Sequence, residues 1–404
     1  MDKSSFYDVV SRDCLRDAVK EARTPSFLYF RRMVERRIAG VRRCLPARFE
    51  VHYAVKANPN AALLRLLSSQ GLGADVASAG ELRAALDAGI PAQRIEFTGP
   101  GKTRPELESA IAAGVSAINV ESLRELEHVC DLAHALDRTA NVGLRVTPAR
   151  SHDGAGMRMG SGTQFGVPEE DVPAAIDLIR RRPAELRFTG IHVHAGSQIL
   201  AAGTFGDHFR TVLDIAARVD EMTDHRVAKV NFGGGWGIRY YSGQTDLDLA
   251  EVERQVASAV KEARFGRLAA DAQLIVEPGR FLVGESGVYA VEVLYCKRVQ
   301  GKRFVVVDGG LHHHYLLAGG MGQVIRRNFE TDAFIDVERM RNTPVPHTVA
   351  GCLCTPQDLL AVDCGYPGEL AEGDRIVFFN SGAYGPSASP GLFLSHAPAN
   401  EVLL

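Results

Sequence analysis

Eight short apolar runs recur between residues 49 and 280, and each ends in glycine, proline or polar residues before a helical pattern begins. The runs that predict strands are FEVHYAVK, GLGADVAS, RIEFTGPG, AINVES, NVGLRVTP, FTGIHVHAGS, KVNFGGGWG and QLIVEPGR. Segments between them, such as NAALLRLLSSQ and RPELESAIAAG, have apolar residues at i, i+3 and i+4 spacing, which is typical of amphipathic helices. This alternation predicts an α/β fold, a (β/α)8 TIM-like barrel. A doubly wound sheet is the alternative, but it would normally have fewer strands before its boundary.

The pattern changes from about residue 283 onward. The runs there are GVYAVEVLYCKRV, RFVVVDGG, HTVAGCLC and DRIVFFNSGAY, with turn residues and few helical stretches between them. We therefore expect a cofactor-binding barrel over residues 27–282 and a C-terminal β-barrel or β-sandwich domain over residues 283–404. Residues 1–26 form an N-terminal segment that we expect to pack on the β-domain.

Composition and charge exclude several classes of function. The chain has 46% hydrophobic residues and a net charge of -3, so strong attraction to nucleic acid or to an anionic membrane is not expected. No apolar run approaches the ~20 residues of a membrane span, and the charged N-terminus lacks the apolar stretch of a signal peptide. The seven cysteines form no repeated framework, which also favours a cytoplasmic protein.

The carboxyl ends of the predicted strands carry the chemically useful side chains, and active sites of such barrels form at that end. For Lys56 alone, at the end of the first strand, the alternative is a lysine that only reaches solvent. The other strand ends add histidines, a run of three glycines and a carboxylate. The candidate residues are Lys56, Asp75, Glu81, Arg145, His192, His194, Ser197, Gln198, Gly234, Gly235, Glu277, Gly279 and Arg280.

These residue types together indicate pyridoxal 5'-phosphate as the cofactor. A lysine can form a Schiff base with it, and successive glycine amides can approach its phosphate closely. A carboxylate can keep the pyridine nitrogen protonated, so that the ring accepts electrons from Cα. Each feature alone is common in proteins, and it is their combination at one end of one barrel that predicts the cofactor.

The sequence resembles the fold-type III pyridoxal-phosphate decarboxylases, which include diaminopimelate, ornithine and arginine decarboxylases and share an alanine racemase-like fold. The resemblance covers nearly the whole chain. The motifs that carry it are YAVKAN, DVASAGE, HVHAGSQ, NFGGGWG, EPGR, CTPQD and SGAYG, in the order of the family.

The resemblance implies a role for each of these motifs. Lys56 would be the Schiff-base lysine, His194 would stack on the cofactor ring, and Glu277 would pair with the pyridine nitrogen. Arg280 would lie near the phosphate or the substrate carboxylate. Cys354 and Asp358 would reach the active site of the partner subunit in a head-to-tail homodimer, where Cys354 would protonate Cα. The remaining residues that would bind the cofactor are Asp75, Arg145, Ser197, Gly234, Gly235, Gly279 and Tyr384.

The chain departs from diaminopimelate decarboxylases at the distal end of the substrate. The residue after the motif cysteine is typically a glutamate that holds the distal amine, and here it is Thr355, which we include among substrate-binding candidates with Asp358, Arg280 and His313. The segment DGGLHHHYLLAGGMGQVIRRNF also replaces the residues that hold the distal carboxylate. Diaminopimelate is therefore not expected as the natural substrate.

The segments DGGLHHH and CTPQDLLA resemble a subgroup found in specialised biosynthetic pathways. It includes exosortase-associated decarboxylases and the butirosin-type enzyme, which acts on a glutamyl group attached to an acyl carrier protein. By this resemblance the substrate is an amino acid with an elaborated side chain, which a carrier protein could present. Arg326 and Arg327 could meet a distal carboxylate or an acidic carrier, or they could form a solvated face.

No metal is expected. A lone C-x-C, as in CLC, is a weak metal signal. In an extended segment only His312 and His314 of the three consecutive histidines could share a ligand, because neighbouring residues alternate faces. A substrate contact or a packing role is the preferred interpretation for the histidines.

The function predicted is α-decarboxylation of an amino acid or amino-acid derivative. One alternative is a diaminopimelate or ornithine-type decarboxylase that uses a free amino acid. Another is an amino-acid racemase on the same fold, although Glu277 favours a decarboxylase because racemases commonly place an arginine at the pyridine nitrogen. A third alternative is a pyridoxal-binding regulatory protein without catalysis, against which intact Lys56, Glu277 and Cys354 argue.

Overall fold

The structure, a computed structural model, describes residues 6–149, 157–158, 163–194, 196–223, 227–241, 243–321 and 327–404. The chain divides into two compact units. The barrel unit comprises Ile38–Gly237 and Leu247–Gly279. The β unit comprises Met1–Arg37, Ile238–Asp246 and Arg280–Leu404.

Eight parallel strands form a closed barrel, each paired with its neighbours in sequence. The eighth strand also pairs with the first, with Leu274 opposite Phe49, and this pairing closes the barrel. The TIM-like fold predicted from the eight apolar runs is thereby confirmed. The strands are Phe49–Ala54, Gly73–Val76, Ile95–Thr98, Ala117–Val120, Ala140–Thr147, Leu186–His192, Lys229–Asn231 and Gln273–Val276.

Amphipathic helices alternate with these strands, as their periodicity predicts. Side chains cap several of them where the strand ends: the Asn60 side chain accepts from the amides of Ala62 and Leu63, and Ser78 accepts from Glu81. Such caps fix where each helix begins, and therefore the length of the loop before it. The helices of the barrel unit are Ala61–Ser69, Ala79–Asp87, Arg104–Ala113, Leu123–Ala135, Val172–Arg181, Ala202–Met222, Leu249–Val260 and Gly266–Asp271.

The β unit contains one mixed sheet. Six of its strands lie in the order Thr331–Phe334, Arg375–Phe378, Gly287–Val299, Lys302–Val307, Met340–Ala350 and Leu359–Gly368. Ser26–Tyr29 pairs antiparallel with the strand Gly287–Val299 and parallel with Asn400–Leu403. The helix Arg12–Glu21 buries Leu15 and Val19 in the core of this unit.

The domain boundaries differ from those predicted. Residues 27–37, 238–246 and 280–282 were expected in the barrel domain, but all three segments belong to the β unit. The physical reason for the first difference is the pairing of Ser26–Tyr29 within the β sheet. A short strand of four fully buried residues has the same sequence signature in either kind of domain.

Within the described residues, no helix combines the length and the apolar character needed to cross a membrane.

Candidate active site

Lys56 directly follows the first barrel strand, in a short 3-10 turn over Val55–Ala57. Its side chain is 44% exposed, and its Nζ lies 3.3 Å from Oδ2 of Asp75, whose side chain is only 2% exposed. The amide of Asn58 donates to the carbonyl of Val55 at 3.0 Å and holds the turn. The lysine predicted from the sequence is therefore an accessible cation beside a buried carboxylate.

Glu277 is buried just after the eighth strand, and both of its carboxylate oxygens have partners. Nδ2 of Asn231 donates to Oε1 at 2.6 Å, and Nε2 of His192 lies 3.0 Å from Oε2. Burial acts to raise the pKa of Glu277, but His192 and the charge of Lys56 outweigh it and hold that pKa at about 2. Glu277 is thus an ionised carboxylate, and the hydrogen in its contact with His192 lies on Nε2.

Asp75 has the opposite shift. Burial and the nearby charge of Glu277 raise the pKa of Asp75, and the attraction of Lys56 offsets this only in part. Two carboxylates that share one buried region repel each other when both are ionised. The site therefore gives Glu277 the stable negative charge and makes Asp75 the group that takes up a proton more readily.

An amide network supports Glu277 from inside the barrel. Nδ2 of Asn231 also donates to Oε2 of Glu96 at 2.7 Å, and Nδ2 of Asn119 donates to the same oxygen at 3.0 Å. Sequence reasoning missed Glu96, Asn119 and Asn231. The available signal was a polar residue inside three otherwise apolar strand runs, RIEF, AINV and KVNF, because a polar group in a barrel interior requires a partner.

The glycine run forms a turn that needs residues without Cβ. Gly233 and Gly235 have φ values of 64° and 93°, a region that glycine adopts readily. A Cβ on Gly234 would lie 2.5 Å from the carbonyl oxygen of Glu277. The turn therefore packs against the end of the eighth strand, at the position predicted for a phosphate-binding loop.

His194 is fixed by that turn. The amide of Gly234 donates a hydrogen bond to Nδ1 of His194 at 3.0 Å, so this amide is engaged with the histidine. Burial lowers the pKa of His194 well below its ordinary value, and the charges of Lys56 and Arg145 lower it further. His194 is therefore a neutral imidazole with its hydrogen on Nε2, as suits a ring that stacks on a cofactor.

Arg145 has an ionic partner of its own. Its Nη1 lies 2.8 Å from Oε1 of Glu121, both side chains are buried, and the guanidinium lies 4.7 Å from the ring centroid of Phe165. Arg145 thus contributes a positive charge near His194 while being held by Glu121. Its predicted cofactor contact remains a prediction.

Ser197 and Gly279 belong to segments that shape the site. Ser197 is half-buried in a two-residue strand, Gly196–Ser197, that pairs with Met157–Arg158. A Cβ on Gly279 would lie 3.1 Å from the Cβ atoms of Ala54 and Ala57. Gly279 therefore allows close packing against the segment that carries Lys56.

In the β unit, Arg280 and Tyr384 lie together. The guanidinium of Arg280 is 4.6 Å from the ring centroid of Tyr384, and its Nη1 donates to the hydroxyl of Tyr240 at 3.0 Å. Tyr384 has a positive φ of 55°. Tyr240, which sequence reasoning missed, orients the arginine.

The CTPQD loop separates its predicted residues into two environments. Cys354 is exposed and Thr355 is half-buried, as access to a second subunit requires. Asp358, in contrast, is buried, and its two oxygens accept hydrogen bonds from the amides of Leu311 and Leu353 at 2.6 and 2.8 Å. Asp358 therefore holds two loops of its own unit together, and its predicted substrate contact remains a prediction.

His313 is buried, with both ring nitrogens engaged. Nδ1 lies 3.0 Å from the hydroxyl of Tyr289, and Nε2 lies 2.9 Å from the carbonyl oxygen of Ala397. Of the two roles predicted for the histidines, the structure favours packing over substrate contact for His313. Arg327 is exposed, 5.9 Å from the ring centroid of Tyr241, and Arg326 lies outside the described residues.

Comparison with known families agrees with this geometry. The family described as pyridoxal-dependent decarboxylase, pyridoxal binding domain, matches residues 31–284, more than half of the chain. The chain belongs to this family, and the resemblance read from its motifs is confirmed. It is a pyridoxal-phosphate-dependent carboxy-lyase of fold type III.

Relatives with known activities extend over almost the full chain. The L-glutamyl-[BtrI acyl-carrier protein] decarboxylase of Niallia circulans is 37% identical over 387 residues, which cover 95% of this chain and 89% of the relative. The 2-[(L-alanin-3-ylcarbamoyl)methyl]-2-hydroxybutanedioate decarboxylase of Staphylococcus aureus is 30% identical and covers 90% of each chain. The structure of diaminopimelate decarboxylase from Helicobacter pylori, complexed with L-lysine, has a TM-score of 0.84 at 28% identity, and the match covers 96% of this chain and 94% of that one.

The residues present fit pyridoxal phosphate. An accessible lysine lies at the barrel mouth, and a buried carboxylate is held ionised. The glycine turn leaves no room for a Cβ at position 234. These are, in order, the groups suited to hold an aldehyde, a protonated ring nitrogen and a phosphate.

Proposed function

We propose that this enzyme removes the α-carboxylate of an amino acid whose side chain is elaborated and presented by an acyl carrier protein. The observation that carries this proposal is Thr355, a neutral, half-buried residue directly after Cys354. Enzymes of the family that bind a free diamino acid typically have a glutamate there. The identity of 37% to a decarboxylase of a carrier-bound glutamyl group supports the same substrate class.

Within the site, Lys56 and Asp75 act as a pair. When bound, pyridoxal phosphate accepts the electron pair that the departing carboxylate leaves on Cα. Lys56 would hold the cofactor through Nζ and release it to the substrate amine. Asp75, 3.3 Å away, would orient the lysine and take up a proton that the lysine gives up.

Glu277 and His194 would control the cofactor ring. Glu277, ionised and held by Asn231 and His192, would keep a proton on the pyridine nitrogen. The neutral His194 would cover one ring face, with its orientation fixed by the amide of Gly234. Ser197 and Gly235 would bind the phosphate, and Tyr384 and Arg280 keep the roles assigned by the resemblance.

We further propose a homodimer with shared active sites. Cys354 is exposed at the surface of its own chain, which suits a thiol that acts in a partner subunit by returning a proton to Cα. A cytoplasmic location is part of the same proposal, because all seven cysteines are free thiols, which suits a reducing compartment.

The test is carbon dioxide release from a matched panel of substrates. It should include free diaminopimelate, ornithine, lysine, arginine and glutamate, a glutamyl group on a pantetheine thioester, and the same group on an acyl carrier protein. We expect release from the carrier-bound group, weaker release from the pantetheine thioester, and none from the free amino acids. Lys56→Ala serves as the inactive control.

Two outcomes would contradict the proposed substrate class, and a third would contradict the proposed reaction. Rapid release from a free diamino acid would place the enzyme with ordinary diaminopimelate or ornithine decarboxylases. The second outcome is release only from a free amino acid with several carboxylates, the kind of substrate named for the Staphylococcus aureus relative. It would support an elaborated side chain but contradict presentation by a carrier protein. Inversion of Cα without release would indicate a racemase.

A further inference from the structure

Three residues of metal-binding types meet in the β unit, and none of them is assigned above to the cofactor. They are His312, Cys352 and His396, and one donor atom from each lies within 4.8 Å of the others. His312 follows the strand Lys302–Val307, Cys352 follows Met340–Ala350, and His396 precedes the last strand. The residues are 40 or more positions apart in sequence, so no local motif announces the cluster.

His312 is the residue that points to a ligand. It is 1% exposed, and neither of its ring nitrogens has a hydrogen-bond partner among the described residues. A buried polar group without a partner destabilises the fold, so such groups usually have one. The ring of His396 lies 5.1 Å from that of His312, between centroids, and comes from the exposed side.

The neighbouring histidines do not share this property. His313 uses both ring nitrogens, on Tyr289 and on the carbonyl oxygen of Ala397, and the latter contact anchors the residue beside His396. His314 is buried, and its Nδ1 accepts from the amide of Leu317 at 3.4 Å. Of the three consecutive histidines, His312 alone combines burial with two unengaged nitrogens.

Asp358 holds the two inner ligands together. Its oxygens accept from the amide of Leu311, next to His312, and from the amide of Leu353, next to Cys352. The amide of Cys352 also donates to the carbonyl of Gly309 at 3.0 Å. The backbone on both sides of the cluster is thus fixed before any ligand binds, as in metal sites whose surroundings orient the ligands.

We propose that His312, Cys352 and His396 form a binding site for a zinc-class divalent cation, with the fourth position open to water. Two imidazoles and a thiolate are a ligand set that zinc prefers over magnesium or calcium. In a tetrahedral site with Zn–N of ~2.0 Å and Zn–S of ~2.3 Å, two ligand atoms of one ion lie about 3.3–3.5 Å apart. The donor atoms, now within 4.8 Å of one another, would therefore move together by up to about 1.5 Å, through side-chain rotation at the inner ligands and displacement of the exposed His396.

Binding of the cation to these three side chains needs no reactant other than solvent to take up the released proton. Burial lowers the pKa of His312 to about 4, so its imidazole is neutral at pH 7 and has a free lone pair. Burial raises the pKa of Cys352 to about 11, so the thiol must release its proton to solvent when the cation binds. The inference does not rest on the proposed substrate, and it runs against our expectation of no metal, which considered only residues close in sequence.

The experiment uses the cofactor-loaded enzyme, treated with a chelator and titrated with Co²⁺ and then Zn²⁺. We expect about one Co²⁺ per chain, with the visible bands of a tetrahedral ion and a thiolate charge-transfer band, and displacement of both by Zn²⁺. Mg²⁺ should leave the spectrum unchanged. Cys352→Ser should abolish the charge-transfer band and weaken Zn²⁺ binding at least about tenfold.

Matched variants decide the assignment. Cys354→Ser and Cys364→Ser each remove a thiol elsewhere in the β unit and should leave the Co²⁺ spectrum intact. His396→Gln alters an exposed side chain, so the fold should persist while affinity falls. The proposal is overturned if no Co²⁺ binds, if the thiolate band survives in Cys352→Ser, or if both Cys352→Ser and His396→Gln bind Zn²⁺ like the parent enzyme.

Discussion

Lys56 Nζ lies 3.3 Å from Asp75 Oδ2, an accessible cation paired with a carboxylate that is almost completely buried. The pair brings together the end of the first barrel strand and the second barrel strand. Burial and Glu277 raise the pKa of Asp75 in spite of this partner. The ionised form of Asp75 therefore lowers the stability of the folded protein, and groups with such shifted pKa values are common at functional sites.

Asp75→Asn should raise the stability of the protein relative to the parent as the pH rises, while it lowers the rate of decarboxylation. Because the folded pKa of Asp75 is raised, its contribution to stability is present below its ordinary pKa and is lost as the pH rises through the folded pKa. The amide does not titrate, so the stability of the variant relative to the parent should increase between pH 4 and pH 7. Urea unfolding of cofactor-free protein at both pH values measures this, and decarboxylation should fall sharply. A relative stability that declines over this range would contradict the assignment.

Glu277→Gln should lower kcat about 10²-fold or more, because it removes the charge that, by our proposal, would keep the ring nitrogen protonated. Cofactor attachment should survive, since Lys56 is unchanged, and the absorbance of bound cofactor checks this. Glu50→Gln makes the same change in the first strand of the barrel, away from its carboxyl end, and should leave kcat near the parent value. Equal effects of the two substitutions would show that Glu277 has no special role.

Arg145→Met should destabilise the barrel by about 3–5 kcal/mol, because it leaves Glu121 buried without its cation. Adding Glu121→Leu removes the unpaired charge and should restore much of that loss in urea unfolding. Cofactor affinity should remain weak in the double variant if Arg145 also serves the cofactor. Full affinity in the double variant would restrict Arg145 to a structural role.

Gly234→Ala should weaken cofactor binding at least about tenfold, or about 1.4 kcal/mol, because the new Cβ would lie 2.5 Å from the carbonyl oxygen of Glu277. Gly101→Ala is the control, since a Cβ there has no atom within 4 Å. Equilibrium titration of each variant with pyridoxal phosphate gives the comparison. Unchanged affinity in Gly234→Ala would mean that the turn tolerates a side chain and does not shape the phosphate site.

Mixing two inactive variants tests the shared active site. If Lys56 and Cys354 of one site come from different subunits, a dimer of Lys56→Ala with Cys354→Ala contains one intact site. After subunit exchange in equal amounts, about a quarter of the parent activity should return, since half of the dimers are mixed and each has one good site of two. No recovery, with exchange verified by mass, would place both residues in one chain.

The local sequence pattern was sufficient to predict much of the barrel of this protein. Each of the eight predicted strand runs became a barrel strand, because alternating strand and helix periods and the turns between them are short-range properties. Lys56, His194 and Glu277 could be placed at the barrel mouth for the same reason, since a strand's last residues must lie at its end. The family motifs added their expected roles.

Tertiary structure decided what depends on distant partners. Ser26–Tyr29 joined the β sheet because residues 287–290 and 400–403 pair with it, which no local period encodes. Asp358 became a clamp between two loops, and Asn231 became the bridge between Glu96 and Glu277. The sequence by itself determined the strands, the helices and the identity of the reactive groups. The fold alone brought His312, Cys352 and His396 together, because contact between residues far apart in sequence follows from chain topology rather than from periodicity.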